Sequence, residues 1–134
     1  MRRLALLMLP VLSACVAPLS APDRITKALV GRSVDYSFEW DGPFAEHEVQ
    51  SWTADGLTEI ANGSIFGADD ISGRWRVENG RYCEIFGNQT DWTCLTVTVS
   101  ADGRTVRFRE VRDELSEIFI NLFEVDRTGE FLPL

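Results

Sequence analysis

Residues 73–86 decide the fold, and they read Gly-Arg-Trp-Arg-Val-Glu-Asn-Gly-Arg-Tyr-Cys-Glu-Ile-Phe. Trp75 and Val77 fall on one face of an extended chain, because successive side chains of a strand point to opposite faces. Asn79-Gly80 follows, and Asn and Gly readily adopt the positive φ that both positions of a tight hairpin turn need. The stretch therefore predicts an antiparallel β-hairpin with strands at 73–78 and 81–86.

The same alternation recurs on both sides of this hairpin. Polar residues separate Val34, Tyr36, Phe38 and Trp40, which is typical of a strand with one buried face. Asp-Gly pairs interrupt the pattern and predict turns, and the Gly-, Asp- and Asn-rich stretch 62–73 predicts a loop. Short strands with such turns indicate a mainly β fold, a small antiparallel β-barrel or sandwich. The further strands that we predict are 33–40, 47–52, 57–61, 94–99, 106–109 and 117–125.

A short helix is predicted at about residues 22–30, before the first strand. Pro22 suits the first helical position, and Asp23 places an acid in the first turn. Ile25 and Leu29 share one helix face, and Gly31 is suited to end the helix.

The first fifteen residues have the organisation of an export signal. Arg2 and Arg3 precede the apolar run 4–12, which is shorter than the roughly 20 residues that span a bilayer. The sequence Leu12-Ser13-Ala14-Cys15 then resembles the bacterial lipoprotein box. By that resemblance, residues 1–14 are a signal peptide and Cys15 carries lipid. Two readings compete with this one: cleavage after Ala17, and an unmodified Cys15 within the signal.

The lipoprotein resemblance divides the chain and suggests a location. Residues 15–21 are small residues and prolines and are predicted to be a flexible tether, and residues 22–134 are predicted to be a single β domain. Acyl chains hold such a protein on a membrane without a spanning helix. Because Val16 is not the Asp that retains lipoproteins in the inner membrane, the resemblance implies the outer membrane, facing the periplasm.

Charge narrows the range of partners. The full chain carries a net charge of −8, and loss of Arg2 and Arg3 brings it to −10, since residues 1–14 contain no acid. An acidic domain is a poor candidate for nucleic acid and a better one for a basic protein or cations. Acidity for solubility alone is the alternative.

Two cysteines remain once Cys15 is assigned to lipid. Cys83 and Cys94 are an even pair in an oxidising compartment and predict one disulfide, worth about 3 kcal/mol for a loop of about twelve residues. No metal site is predicted, because the cysteine spacing does not match zinc motifs and His47 is distant in sequence.

No group of residues predicts catalysis or a cofactor, so we predict that the chain is not an enzyme. In Glu46-His47-Glu48 the histidine points away from both acids on a strand and cannot pair with them. Asp69-Asp70, with Asn62 and Glu59 nearby, offers oxygens for Ca²⁺ but lacks the EF-hand spacing, so a polar loop is the preferred interpretation.

The aromatic residues offer two interpretations. Trp40, Trp52, Trp75 and Trp92 are predicted to fill a small barrel, or alternatively to line a mouth or groove for an apolar ligand. Near the C-terminus, Phe119, Phe123 and Phe131 form a possible interaction patch.

The order of these features is similar to a group of small secreted domains of unknown function from Gram-negative bacteria. The resemblance covers about residues 22–110 and implies an antiparallel β fold with no assigned activity. Its matching positions are Gly31, Asp55-Gly56, Gly73-Arg74-Trp75, Asn79-Gly80, Cys83, Cys94 and Asp102-Gly103.

The sequence thus favours a lipid-anchored envelope protein with a non-enzymatic binding role. One specific form is a periplasmic inhibitor of a basic hydrolase, a protease or lysozyme, whose known examples are also small disulfide-bearing β-barrels. The alternatives are an envelope assembly or structural lipoprotein and a carrier of an apolar ligand.

Overall fold

The computed structural model describes residues 17–37, 47–62, 70–110 and 125–134. They form a closed antiparallel β-barrel in which each strand pairs with the next and the last pairs with the first. A single short helix precedes the strands, so the prediction of a mainly β barrel is confirmed. The elements are α1 Pro22–Leu29, β1 Ser33–Ser37, β2 His47–Trp52, β3 Leu57–Asn62, β4 Ile71–Glu78, β5 Arg81–Phe86, β6 Thr93–Val99, β7 Thr105–Glu110 and β8 Asp126–Phe131.

The central hairpin forms as predicted. β4 and β5 pair from Gly73↔Phe86 to Glu78↔Arg81. Asn79 has φ 50° and Gly80 has φ 71°, both positive as the two-residue turn requires. β4 begins at Ile71 rather than at 73, because Ile71 pairs with β3 across from Ile60. The predicted loop 62–73 is therefore wrong at Asn62, which ends β3, and at Ile71 and Ser72, which begin β4. Residues 63–69 lie outside the described part of the chain.

β8 is a strand that the sequence pattern did not predict. The predicted strand 117–125 lies outside the described residues except for Val125, which is not in a strand. β8 instead begins at Asp126 and closes the barrel between β7 and β1. Its Gly129 lies so close to β1 that an added Cβ would overlap the side chains of Val34 and Tyr36 and lie 2.7 Å from the Asp35 carbonyl oxygen.

The helix closes one end of the barrel. Ile25 and Leu29 are fully buried against the strand core. Leu19, predicted as tether, instead donates its backbone N–H to the Val97 carbonyl at 2.6 Å. The carbonyl of Ser20 lies against the turn at Gly80, where an added Cβ would approach it to 2.7 Å. The chain is thus already packed on the barrel at Leu19 and Ser20, and the prediction of a flexible tether is wrong at these two residues.

The up-and-down topology gives the barrel two different ends. At the helix end lie α1 and the short turns 53–56, 79–80 and 100–104. At the opposite end, here called the loop end, lie the strand termini that are joined by 38–46, 63–70, 87–92 and 111–125. Among the described residues, no helix has the length and apolar character needed to cross a bilayer.

Candidate functional site

Aromatic side chains fill the middle of the barrel. Trp52, Tyr82 and Phe108 are at most 2% exposed. The rings of Trp52 and Phe108 stack with centroids 5.8 Å apart, and Tyr82 lies 5.1 Å from Phe108. Trp75 stacks on the other side of Tyr82 at 6.0 Å. The interpretation that tryptophans fill the barrel therefore holds for Trp52 and Trp75.

A buried acid, Glu84 on β5, lies next to these aromatic side chains on the side of the loop end. Its side chain points inward between Tyr82 and Phe86 because these residues alternate along the strand. The carboxylate accepts hydrogen bonds from Tyr82 Oη at 2.7 Å and from Gln50 Nε2 at 3.2 Å. Arg127 Nη2 donates to both carboxylate oxygens at 2.7 Å. Glu84 is 4% exposed, so this charge is held almost entirely by protein donors.

Gln50, on β2, connects the acid to the surrounding hydroxyl groups. Its Nε2 also donates to Thr58 Oγ1 at 2.9 Å, and its Oε1 accepts from Tyr36 Oη at 2.9 Å. Trp52 Nε1 donates to Tyr82 Oη at 2.9 Å. A buried polar network of this kind is stable only when its polar groups are paired. These bonds pair the hydroxyl, amide and carboxylate groups of side chains from β1, β2, β3 and β5.

Arg127 is the member of the network that reaches solvent. Its guanidinium carbon lies 5.1 Å from the Phe108 ring centroid and 5.4 Å from that of Tyr36. The side chain is 21% exposed, whereas the Nε atom is buried and has no hydrogen-bond partner among the described residues. Burial disfavours the charged guanidinium, yet the Glu84 carboxylate holds the pKa of Arg127 above its ordinary value. Arg127 is therefore a fixed cation that faces the loop end.

The two tyrosines of the network are held neutral. Burial raises the pKa of Tyr36 well above its ordinary value, and the nearby Arg127 only partly offsets this effect. Burial, followed by the adjacent Glu84 carboxylate, likewise raises the pKa of Tyr82. Both hydroxyls therefore stay available as hydrogen-bond donors through the physiological pH range.

The predicted disulfide forms on the outer face of the barrel. Cys83 on β5 and Cys94 on β6 are directly opposite each other, with an S–S distance of 2.02 Å. The Glu78 carboxylate lies within 4.8 Å of both sulfur atoms. Because both sulfurs are in the disulfide, neither is a thiolate that would bind a metal. Arg76 covers the ring of Trp92 on the same outer face, 4.1 Å from its centroid.

Only one member of the predicted interaction patch is described. Phe131 lies in β8, is partly buried against the core, and is covered by the Arg32 guanidinium at 3.5 Å. It is therefore not an open apolar surface, which corrects that part of the prediction. Phe119 and Phe123 lie outside the described residues, as do Cys15, Trp40, Glu46 and Asp69.

The segments that connect strands at the loop end are rich in acidic residues. The four segments that join strands there, 38–46, 63–70, 87–92 and 111–125, contain ten acidic residues and one arginine. The segments at the helix end, 17–32, 53–56, 79–80 and 100–104, contain three acidic and four basic residues. Of the loop-end acids, Asp70 and Asp91 are described and exposed. The connections at the two ends of the barrel thus differ strongly in the net charge of their sequences.

Sequence reasoning did not single out Glu84, Arg127 or Gln50. One signal was present: an acid at 84 shares the inward-facing parity of Tyr82 and Phe86, so strand alternation places a charge among aromatic side chains. Its partner Arg127 was hidden because β8 itself was not predicted.

Comparison with protein-family models, with curated proteins and with solved structures gives no match to this chain. The resemblances to bacterial lipoproteins and to small secreted β domains therefore stay predictions.

Proposed function

We propose that this chain is a lipid-anchored protein of the cell envelope whose barrel binds a basic protein at its loop end. Inhibition of a basic hydrolase is the specific form of this role that we favour. Cys15 would carry the lipid, and the barrel would face the periplasm from the outer membrane. The observation that carries the proposal is that the four connections between strand termini at the loop end contain ten acidic residues and one arginine.

A difference in net charge between the connections at the two ends suits a protein partner. If acidity served solubility alone, both ends would share it; here the helix end has nearly equal numbers of both signs. A local negative field speeds the approach of a basic partner and orients it before contact. Asp70 and Asp91 are exposed at that end and available to such a partner.

The interior of the barrel favours a protein partner over an apolar ligand. A carrier encloses its ligand in a cavity of roughly 300–1,000 Å³. Here Trp52, Tyr82 and Phe108 pack against one another across the barrel axis, and a charged pair, Glu84 and Arg127, lies above them. An apolar ligand would have to displace the rings and bury its surface against charged groups.

Binding to lysozyme, used as a basic hydrolase probe, tests the proposal. The purified protein should bind it at an ionic strength of about 0.01 M and bind much more weakly at about 0.15 M, because the screening length falls from about 30 Å to about 8 Å. Inhibition of the hydrolase in the same titration would support the specific form. The proposal would be contradicted if the protein bound neither lysozyme nor basic proteases at either ionic strength.

Lipid attachment is tested separately. Radiolabelled palmitate should be incorporated by the wild-type protein in cells and not by Cys15→Ser, and only the wild type should sediment with membranes. Labelling that persists in Cys15→Ser would show that the proposed anchor is wrong.

A further inference from the structure

The N-terminal segment fixes which end of the barrel lies near Cys15. Leu19 is hydrogen-bonded to Val97 on β6 and is partly buried against the core. β6 runs from the loop end at Thr93 to the helix end at Val99, so Val97 lies close to the helix end. Ser20 contacts the turn at Gly80, which is also at the helix end. The chain therefore enters the barrel at its helix end and is held there.

Little chain separates this contact from the lipidation position. Only three residues lie between Cys15 and Leu19. Even a fully extended chain spans at most about 3.6 Å per residue, so the four steps from Cys15 to Leu19 reach about 14 Å in all. A strand of eight residues such as β4 is about 26 Å long, and barrel tilt reduces its height to about 20 Å. The connection is thus shorter than the barrel is tall, and a barrel attached through it cannot turn over freely.

From these two observations we propose that the barrel stands on the membrane with its helix end toward the lipid headgroups and its loop end facing away. This orientation rests on the proposed lipid anchor at Cys15 and adds the surface that meets the lipid. That surface is formed by the exposed face of α1, which carries Arg24 and Lys27, and by the adjacent turn with Arg104.

The charges of the two ends favour the same orientation of the barrel as the short connection to Cys15 does. Envelope membranes that contain anionic lipids attract basic groups and repel acidic ones within a screening length of the surface. The helix end has one more basic than acidic residue, whereas the loop-end segments have nine more acidic than basic residues. Turning the loop end toward the lipid would therefore bring the connections with the larger net negative charge toward an anionic surface. The proposed orientation leaves the acidic end free for a protein partner.

Energy transfer from two labelled positions to the membrane tests the orientation. Thr26→Cys on the exposed face of α1 and Asn88→Cys at the loop end each offer one exposed site for a donor dye. The native Cys83 and Cys94 are disulfide-bonded and take no label. The full lipidated chain is placed in phosphatidylethanolamine–phosphatidylglycerol vesicles that carry an acceptor dye on the headgroups.

The donor at residue 26 should be quenched at least about twice as strongly as the donor at residue 88, since the two ends of the barrel are about 20 Å apart. A flexible Gly/Ser insertion of about 20 residues between Val16 and Ala17 has a mean reach of about 25 Å and should remove most of the difference.

Equal quenching at the two positions, or stronger quenching at 88, in a protein that carries palmitate would overturn the orientation and leave the anchor intact. If the protein carries no palmitate and neither donor is quenched, the anchor and the orientation are both wrong.

Discussion

Glu84 and Arg127 form a buried ion pair inside the barrel, and each charge compensates the other. Removing two ions from water costs several kcal/mol each, and their attraction and hydrogen bonds offset this cost only while both partners are present. Glu84 has donors on both oxygens, whereas one buried N–H of Arg127 finds no acceptor in the described part of the chain. Removal of one partner therefore leaves an uncompensated buried charge, whereas removal of both partners also removes the cost of burying them.

Breaking this pair should be costly. Arg127→Met should lower the free energy of unfolding by about 3–5 kcal/mol, because it leaves the Glu84 carboxylate buried without its cation. The double variant Glu84→Gln/Arg127→Met should recover much of that loss. Urea unfolding followed by tryptophan fluorescence measures both effects.

The exposed pair between Arg107 and Asp126 is the matched control. Its hydrogen bonds are short, at 2.8 and 2.6 Å, but its side chains are 50% and 38% exposed. Arg107→Met should therefore leave the free energy of unfolding nearly unchanged. Equal losses at Arg107 and Arg127 would show that burial of the Glu84 pair has no special effect.

Alkaline pH should destabilise the barrel through its tyrosines. Tyr36 and Tyr82 are the only two tyrosines of the chain, and both have a raised pKa when folded. The folded state keeps protons that the unfolded chain releases near pH 10, so this contribution is fully present below about pH 10 and is lost as the pH rises further.

The expected slope well above pH 10 is about 2.7 kcal/mol lost per pH unit, and Tyr36→Phe should halve it. Tyrosinate absorbance, recorded together with urea unfolding, follows the titration. Ionisation of both tyrosines near pH 10 while the protein is still folded would contradict this prediction.

Among the elements, the hairpin strands were the most predictable, and β8, which closes the barrel against β1, was the least predictable. Asn79-Gly80 and the flanking alternation specify β4 and β5 locally, because turn chemistry and strand parity are properties of adjacent residues. β8 reads Asp-Arg-Thr-Gly-Glu-Phe, with little apolar alternation. Its inward positions are taken by Arg127, Gly129 and Phe131. Their contacts are distant in sequence: Glu84 on β5, Tyr36 on β1, and Arg32 just before β1. Those partners cannot be read from a local pattern.

The seam between β1 and β8 should be sensitive to a single methyl group. Gly129→Ala should lower the free energy of unfolding by about 1–3 kcal/mol, because the new Cβ would overlap Val34 and Tyr36 and force the strands apart. Thr128→Ala, an exposed neighbour in the same strand, is the control and should change stability by less than about 0.5 kcal/mol. Thermal unfolding of the two variants compares them; a Gly129→Ala protein as stable as Thr128→Ala would contradict the close approach of these strands.

The disulfide between β5 and β6 is the covalent link of the sheet. Replacing both Cys83 and Cys94 with Ala should lower the free energy of unfolding by about 3 kcal/mol, since the bond closes a short loop in the unfolded chain. Reduction of the wild type by dithiothreitol should lower the melting temperature in the same direction and leave the double variant unaffected. A reductant that lowers both melting temperatures equally would show that it acts elsewhere.

At the scale of the whole molecule, the sequence could predict the net charge but not its arrangement. The acidic residues of the loop-end connections are spread along the chain from Glu39 to Glu124, with no single acidic run. These connections share one end only because alternate connections of an up-and-down barrel attach to the same end. The position of Leu19 is likewise set by tertiary contact. Its neighbouring prolines and alanines indicate a tether, and only its contact with β6 shows where the chain is held.

The most direct test of the account is whether binding of a basic protein depends on which end carries the acids. The double variants Asp70→Lys/Asp91→Lys and Asp23→Lys/Asp55→Lys make the same change in net charge at the loop end and at the helix end, and all four residues are exposed. Titration calorimetry with lysozyme at an ionic strength of about 0.01 M compares them. We expect the loop-end variant to bind about tenfold or more weakly than wild type, a change of about 1.4 kcal/mol, and the helix-end variant to bind nearly as wild type does. Equal weakening by the two variants would show that net charge alone governs binding and would contradict a binding surface at the loop end.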